Sequence, residues 1–407
     1  MGKLITMLFL LLYLGIHGTL RSQDQDISKM HNPAKEIIVD GLSRPWSMAF
    51  LSEEEVLLSE KDGDLLFINI HTKEKRPIKG FPQDRFDTLL YVKENFKPLT
   101  FPASLPDSTK VTFNAGILEV VLDPDFKNNR QVYMSYVARG EGGTTTKVIR
   151  AELRNDSLTQ IRPLFVATPF SEGLFHYGGG ITFGPDGKLY ITVGERVFNE
   201  LDEPALPVAQ DVTDRRGKIY RLNPDGSIPD DNPDFGPDAV PGIYALGIRA
   251  AQGITLQPNT GKIWFSEHGT RQGDEINILR PGNNYGWPVV TSGGYRSSEY
   301  QPPTIEGVEF ANPVWYWLQT VAPTGLCFYT GNEFPSWKNN LIVPGLSRGS
   351  LWRVRVEGET VKSMEELFVD DRERSRKAVM SPKGKLYILT EDLENRTNGK
   401  IVRIKPE

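Results

Sequence analysis

A histidine at the head of a glycine run, with a glutamate one strand later, is the arrangement in this sequence best suited to chemistry. His176 precedes the glycine run 178–180, and Glu195 follows the apolar stretch 189–193. An imidazole with a carboxylate partner and open space beside it can act as a general base. The glycines present no side chain, so another group can approach the backbone closely. The alternative interpretation is a loop histidine beside an ordinary hairpin.

The residues between the histidine and the glutamate predict a β-hairpin. Segments 181–183 and 189–193 alternate bulky and smaller groups, and Pro185-Asp186-Gly187 lies between them. That tripeptide combines a fixed φ, an Asx acceptor and a residue tolerant of positive φ, which favours a tight turn. The hairpin would hold His176 at a strand entrance, with Glu195 and Arg196 at the exit of the next strand.

Arginines near predicted strand ends are a second candidate group. Arg249 lies in the segment 246–253, Arg348 stands between a serine and a glycine, and Arg374 and Arg376 follow further on. Residues two apart in an extended segment point to the same side. Converging guanidinium groups suit a ligand that carries carboxylates. Taken singly, each is better explained as a solvated or salt-bridged arginine.

A third candidate is a run of oxygen donors. Gly269 and Thr270 can offer backbone carbonyls, and Asp274 and Glu275 offer carboxylates, all of which are ligands suited to Ca²⁺. The spacing is not that of a known calcium loop, so a turn with surface acids explains these residues equally well. We interpret the neighbouring His268 as structural.

Composition excludes several classes of protein. The 407 residues carry a formal charge of −5 and no basic run, which argues against nucleic-acid binding. An apolar content of 39% with 38 glycines and 29 prolines is typical of a folded, turn-rich chain. No zinc-protease, phosphate-loop or hydrolase-elbow motif is present.

The N-terminal segment predicts export. A lysine at position 3 is followed by the apolar residues 4–16, which are too few to span a bilayer but match a secretory signal. We assign residues 1–22 to a signal peptide and 23–34 to a flexible tail, with no membrane span. The single Cys327 cannot form an intrachain disulfide. A periplasmic or secreted protein is expected.

A repeated hairpin unit organises the remaining chain. Short apolar strand, glycine-centred turn and β-branched strand recur at 56–70, 181–193, 254–266 and 379–390. No long stretch keeps the helical period. Radial repetition of such units predicts an all-β, six-bladed β-propeller of four-stranded antiparallel blades over 35–407, at roughly 60 residues a blade.

Long segments interrupt the repeat. Residues 76–113 contain several prolines and mixed charge, and we interpret them as an extended loop or lid. Further excursions are expected at 202–214, 225–241 and 293–313. Loops of this length in a compact domain are usually functional or disordered.

From about Gly41 to the C-terminus, the chain resembles the soluble pyrroloquinoline-quinone (PQQ)-dependent glucose and aldose sugar dehydrogenases of the glucose/sorbosone dehydrogenase family. Members of that family are six-bladed propellers. The matching runs are 42–50, 117–136, 217–233, 243–253, 273–288, 321–325 and 337–344.

The resemblance implies roles for individual residues. His176 corresponds to the catalytic base, and Glu195 to the acid that orients it. The carbonyls of Gly269 and Thr270 correspond to ligands of a Ca²⁺ ion that also touches the quinone. The cofactor-binding positions implied are Arg249, Arg348, Arg374, Arg376 and Asn114. The implied partners are PQQ, Ca²⁺, a sugar substrate and an external electron acceptor, either a quinone or a small redox protein.

Four positions depart from the family pattern. Ala250 replaces an asparagine, Ser347 a lysine, Asn114 a glutamine and Gly180 an arginine. Each change removes a polar contact to cofactor or sugar. The predicted function is oxidation of an aldose or related polyol with hydride transfer to PQQ. The alternatives are a calcium-dependent propeller lactonase and a non-catalytic glycan-binding propeller with a decayed site.

Overall fold

The fold was analysed in a computed structural model. It describes residues 33–61, 63–86, 115–197, 199–347, 349–369, 371, 373–392 and 398–407, and the backbone of 88–92 and 108–112. The predicted signal peptide, Asn114 and Arg348 lie outside the described residues.

Strands dominate this part of the chain, and all but two of the described strands belong to six four-stranded antiparallel sheets. Each sheet is one blade, ordered from the axis outward. The first blade contains β2 (Pro45–Phe50), β3 (Glu55–Glu60), β4 (Leu65–Asn69) and β5 (Lys75–Pro77), and the second contains β8 (Ile117–Leu122), β9 (Gln131–Gly140), β10 (Gly143–Arg154) and β11 (Ser157–Val166). The third blade contains β12 (Gly178–Phe183), β13 (Leu189–Val193), β14 (Lys218–Leu222) and β15 (Ile243–Ala245), and the fourth contains β16 (Ala251–Leu256), β17 (Ile263–Glu267), β18 (Glu275–Ile278) and β19 (Trp315–Tyr316). The fifth blade contains β20 (Cys327–Phe328), β21 (Leu341–Pro344), β22 (Leu351–Glu357) and β23 (Thr360–Leu367), and the sixth contains β24 (Glu373–Met380), β25 (Leu386–Asp392), β26 (Gly399–Lys405) and β1 (Ala34–Leu42).

The blades form a closed ring. The innermost strands pack side by side in chain order, from β2 through β8, β12, β16 and β20 to β24, which lies against β2 again. The sixth blade takes its outer strand β1 from the start of the chain, because Ala34 pairs with Lys405 and Leu42 with Gly399. Closure leaves only short outer edges exposed. The prediction of a six-bladed propeller is confirmed.

The hydrophobic core lies between neighbouring blades. Between the fourth and fifth blades, Trp264, Trp317 and Trp352 are fully buried, and the ring centroids of Trp264 and Phe328 are 5.8 Å apart. Each sheet therefore buries both faces, which explains the apolar and β-branched strands that the repeat showed.

The predicted hairpin at 181–193 is present as β12 and β13. Gly184 and Lys188 close the turn by a 2.9 Å backbone hydrogen bond, and Asp186 accepts from the Lys188 amide at 3.1 Å. Gly187 has a φ of 69°, which its lack of a side chain allows. The turn chemistry thus accounts for the register that places His176 and Glu195 together.

The segment 76–113 differs from the loop that its composition predicted. It begins inside the outer strand β5, and it contains the two-stranded hairpin β6 (Thr88–Val92) and β7 (Ser108–Thr112). At the predicted tail, the described chain is already in β1 at Ala34.

Helices are short. The α-helix α1 (Phe126–Asn129) and two 3₁₀ turns, Glu200–Asp202 and Pro335–Trp337, are joined to the sheets by loops. No helix in the described ranges has the length and apolar character needed to cross a bilayer.

Candidate active site at the axis

The hairpin geometry brings two sets of residues to one face of the ring. In each blade the first strand begins where the antiparallel second strand ends, so residues at these two positions meet near the axis. Basic side chains or a histidine stand at or near the entrance of four first strands, at Arg44, His176, Arg249 and Arg374. Glutamates stand at or near the exit of the matching second strands, at Glu60, Glu195, Glu267 and Glu391.

His176 and Glu195 form a direct pair. Nδ1 of His176 lies 2.8 and 3.1 Å from the two carboxylate oxygens of Glu195, and 3.1 Å from the carbonyl oxygen of Val197. The carboxylate also accepts the Val197 amide at 3.1 Å. Gly194 permits this approach, since a Cβ there would lie only 1.9 Å from the His176 carbonyl oxygen.

These contacts define the proton arrangement of the imidazole. When Glu195 is ionised, its carboxylate and the Val197 carbonyl can only accept a hydrogen bond, so Nδ1 of His176 carries the proton and donates it. Nε2 then holds the lone pair that can take a proton from a substrate. The histidine side chain is 11% exposed, and the Glu195 side chain is fully buried.

Burial shifts both groups away from their ordinary behaviour. Burial, with the positive charges of Arg249 and Arg296, holds the pKa of His176 well below its usual range, so the imidazole is neutral at pH 7. Burial raises the pKa of Glu195 to about 8, against the opposing charge of Arg249. The base-competent form has Glu195 ionised and accepting from Nδ1.

Arg249 lies beside this pair. Its carbonyl accepts the Glu195 amide at 3.0 Å, and its Nη1 donates to the carbonyls of His268 at 3.1 Å and Gly269 at 2.7 Å. The side chain is buried, and its Nε has no hydrogen-bond partner among the described residues. An unpaired buried donor is costly, so this guanidinium is suited to an anionic ligand.

Arg374 and Arg376 meet at one carboxylate. Nη2 of Arg376 lies 2.9 Å from Glu391, and Nε of Arg374 lies 3.6 Å from the same group. Burial alone would raise the pKa of Glu391, but Arg376, Lys61 and the neighbouring arginines outweigh it and lower the pKa to about 2. Four basic side chains therefore share a single ionised acid.

One further contact joins the two halves of the site. Nη1 of Arg376 donates to Oε1 of Gln252 at 3.2 Å, and Gln252 is three residues after Arg249, on the inner strand β16 of the fourth blade. The Arg376 guanidinium also lies 4.2 Å from the ring centroid of Trp46. His176, Arg249, Arg374 and Arg376 therefore lie on one face of the ring, and the fourth predicted arginine, Arg348, is outside the described residues.

Sequence reasoning identified Glu195 but missed Glu267 and Glu391, which contact the backbone of Arg249 and the guanidinium of Arg376. Glu60, Glu195, Glu267 and Glu391 each follow a serine, glycine or threonine at the end of a second strand. Alignment of these four dipeptides as one repeat would have placed Glu391 near the axis, beside Glu195 and its equivalents. Glu267 also contacts an arginine at the axis, because its carboxylate accepts a hydrogen bond from the backbone amide of Arg249.

One of the two backbone carbonyls predicted to bind Ca²⁺ at the turn 269–270 already has a hydrogen-bond donor. The Gly269 carbonyl already accepts from the Arg249 guanidinium at 2.7 Å, and a cation there would stand against that positive charge. The Thr270 hydroxyl donates to the Gly294 carbonyl. In the described ranges no three histidine, cysteine or acidic side chains gather as metal ligands.

Of the two acids after this turn, Asp274 is buried and Glu275 is half-buried. Asp274 accepts the Gly269 amide at 2.8 Å and the amides of Val321 and Ala322 at 2.7 Å each, so its oxygens stabilise loop backbone. Glu275 accepts from Ser292 at 2.7 Å and Asn277 at 3.1 Å.

His268 has a structural contact. Its Nε2 lies 2.9 Å from the Pro323 carbonyl, and burial lowers its pKa to about 4. A ring nitrogen that faces a carbonyl oxygen must carry the proton and donate it. This matches the structural interpretation of the residue.

Three of the positions that depart from the family pattern lie in the described residues. At Gly180 a Cβ would lie 3.0 Å from the Gln252 carbonyl oxygen and 3.1 Å from the Thr192 hydroxyl, so a long side chain has no room. Ala250 is fully buried directly before β16. Ser347 donates its backbone amide to Val321 at 3.1 Å.

Fold and site define a β-propeller with a buried histidine–glutamate pair and three arginines at one end of its axis. The family model described as Glucose / Sorbosone dehydrogenase matches residues 42–403, and the chain belongs to that family.

Named relatives are similar over nearly their whole length. An aldose sugar dehydrogenase of Escherichia coli is 31% identical, covering 91% of this chain and 92% of the relative. Quinoprotein glucose dehydrogenase B of Acinetobacter calcoaceticus is 28% identical, covering 90% and 87% respectively. The solved apo form of the soluble E. coli aldose sugar dehydrogenase has a TM-score of 0.77 and 30% identity, covering 92% of this chain and 99% of that one.

Proposed function

We propose that this protein is an aldose sugar dehydrogenase that uses PQQ. The observation that carries the proposal is the His176–Glu195 pair, with the proton on Nδ1 and Arg249 alongside. Family membership supports oxidation of a sugar, and the quinoprotein relative supports the choice of cofactor.

His176 performs the proton step in this proposal. Its Nε2 takes the proton of the anomeric hydroxyl, which prepares that carbon to release a hydride. Glu195 keeps the ring in the required tautomer and stabilises the imidazolium that forms. Burial of the pair excludes water from this exchange and strengthens the interaction between carboxylate and imidazolium.

The arginines fit a ligand with several carboxylates. Arg44, Lys61, Arg374 and Arg376 all lower the pKa of Glu391, so basic side chains gather at this side of the axis. Arg249 adds a buried guanidinium on the other side. PQQ, when bound, supplies the carbonyl that accepts the hydride. No step of the proposal uses Ca²⁺.

The proposal also specifies the substrate, the electron acceptor and the cellular location. The substrate is an aldose or related polyol, and an external quinone or small redox protein receives the electrons. The charged and apolar segment 1–22 supports export to a periplasm or the cell exterior.

Cofactor uptake followed by sugar oxidation is the direct test. Purified protein mixed with PQQ is expected to take up the quinone with a change in its absorbance, and then to reduce a redox dye only when an aldose is added. CaCl₂ is included so that the assay does not depend on the metal assignment. A sample lacking PQQ is the control.

Other outcomes would identify the competing functions. Release of acid from a lactone without any electron acceptor would identify a hydrolase. Failure to take up PQQ, with sugar binding retained, would contradict the dehydrogenase and favour a binding propeller.

Turnover is expected to rise with pH through about 8. Below the pKa of Glu195, its protonated carboxyl would donate to Nδ1 and move the imidazole proton to Nε2, which removes the base. The pKa of His176 is lowered, so the imidazole does not itself limit the rate near neutrality. The measurement is kcat from pH 6 to 9.5 at saturating sugar.

Glu195→Gln is the matched variant for this pH profile. Its side-chain amide cannot ionise, so the rise near pH 8 is expected to disappear and the remaining rate to be lower at every pH. A wild-type kcat that stays flat or falls between pH 7 and 9 would contradict the assignment.

A further inference from the structure

An open pocket lies beside the histidine–glutamate pair. Its volume is about 470 Å³, within the range of pockets that hold small ligands. Its polar lining includes Asn199, Arg271, Arg296, Ser297, Ser298 and Glu299. The long excursion 293–313 therefore contributes a wall of this pocket.

The pocket adjoins the base through a short segment of backbone. Val197, whose carbonyl accepts from His176, is two residues before Asn199 in the pocket wall. On the opposite wall, the Arg296 amide donates to Glu200 at 3.2 Å. Arg296 is also one of the charges that lower the pKa of His176, so its guanidinium is close enough to act on the imidazole.

Two arginines supply charged hydrogen-bond donors to the lining. Arg271 and Arg296 line the pocket together with Glu299, and the buried Glu200 beneath them offsets part of the charge of Arg296. Nη2 of Arg271 donates to the Arg296 carbonyl at 2.8 Å, which fixes the two arginines together and leaves the other N–H groups of Arg271 for a ligand. Beneath them, buried Glu200 holds the backbone of Arg296.

Hydroxyl donors complete the arrangement. Ser297 and Ser298 follow Arg296 directly and line the same pocket. Guanidinium groups with neighbouring hydroxyls match the oxygens of a carboxylate or a phosphate, since charge-assisted hydrogen bonds to such groups are short and strong. A neutral sugar would gain no such contact from the two arginines.

We propose that this pocket binds an oxyanion carried by the substrate at the end remote from the anomeric carbon. The preferred substrates are then acidic aldoses, bearing a carboxylate or a phosphate, rather than neutral ones. The inference rests on the proposed function, because it takes His176 as the residue that meets the anomeric hydroxyl.

Paired substrates test the inference. D-glucose, D-glucuronate and D-glucose 6-phosphate share the anomeric centre and differ in charge at the far end of the ring. With PQQ-loaded protein, kcat/KM is expected to be about tenfold higher for at least one acidic sugar than for glucose, mainly through a lower KM. The preference should weaken as NaCl is raised, because salt screens partly exposed charges. Comparison of the two acids distinguishes carboxylate from phosphate recognition.

Two single-residue variants test whether the arginines of the pocket cause the preference for acidic sugars. Arg271→Gln and Arg296→Gln should each bring the acidic-to-neutral ratio of kcat/KM close to one. Arg355→Gln is the matched control, since this arginine is exposed on β22 and pairs with Glu357 at 2.9 Å. An equal or lower kcat/KM for both acids, or a ratio unchanged in both variants, would overturn the inference while leaving the dehydrogenase intact.

Calorimetry separates this inference from the proposed function. Binding of D-glucuronate or D-glucose 6-phosphate, but not D-glucose, should be measurable by titration and be lost in Arg296→Gln. If no sugar is oxidised, the dehydrogenase proposal fails, and this titration still decides the pocket's preference. Absence of any acidic preference in binding would refute it.

Discussion

Replacing His176 with alanine is expected to lower sugar-dependent dye reduction by about 10²- to 10⁴-fold, the usual contribution of a positioned general base. In the proposed reaction the imidazole takes the anomeric proton, and Glu195 is buried too deeply to replace it. The measurement is kcat with saturating aldose and PQQ, alongside the affinity for PQQ. That affinity should survive, because the arginines that hold the cofactor are unchanged.

The matched control for this variant is His71→Ala. His71 is exposed in the turn after β4 and is remote from His176 in the chain, so its loss should leave the rate unaltered. A His176→Ala protein that keeps more than roughly a tenth of wild-type activity would rule out the base assignment. Circular dichroism and a thermal melt of the variant exclude a general loss of fold.

Replacing Arg249 with methionine should weaken PQQ binding by about 10- to 100-fold. A charge-assisted hydrogen bond contributes about 1.5–3 kcal/mol, and about 1.4 kcal/mol corresponds to a tenfold change in affinity. Methionine keeps much of the buried volume but offers no donor to the ligand. The affinity is measured by titrating PQQ into the purified protein and following the absorbance of the quinone.

Arg355→Met provides the control for this second variant, because it removes an exposed arginine of the fifth blade. If PQQ affinity in Arg249→Met stays within about threefold of the wild type, the buried guanidinium is not a cofactor contact. The thermal melt is informative here as well, since Arg249 donates to two backbone carbonyls of the 268–269 turn.

The elements that sequence reasoning predicted well are governed by local rules. The turn 185–187 fixes a hairpin register, and that register alone brings His176 and Glu195 to neighbouring strand ends. Repetition of the same unit then predicts the propeller, because hairpins without intervening helices can bury both faces only by packing on one another.

Features that depend on distant segments were not predictable in this way. Whether the Gly269 carbonyl is available to a metal depends on Arg249, which belongs to the preceding connection between blades. Arg296 reaches the site only because the excursion 293–313 folds back toward Glu200. The burial of Asp274 likewise depends on amides at 321 and 322, which belong to the next blade.

The pairing of β1 with β26 has a consequence for assembly of the molecule. The last blade needs both ends of the described chain, so the ring cannot be completed until the final strand has been synthesised. Such non-local closure slows folding, because loop-closure entropy must be overcome before the contact is gained. If residues 1–22 direct export as proposed, this delay would keep the polypeptide unfolded until translocation begins.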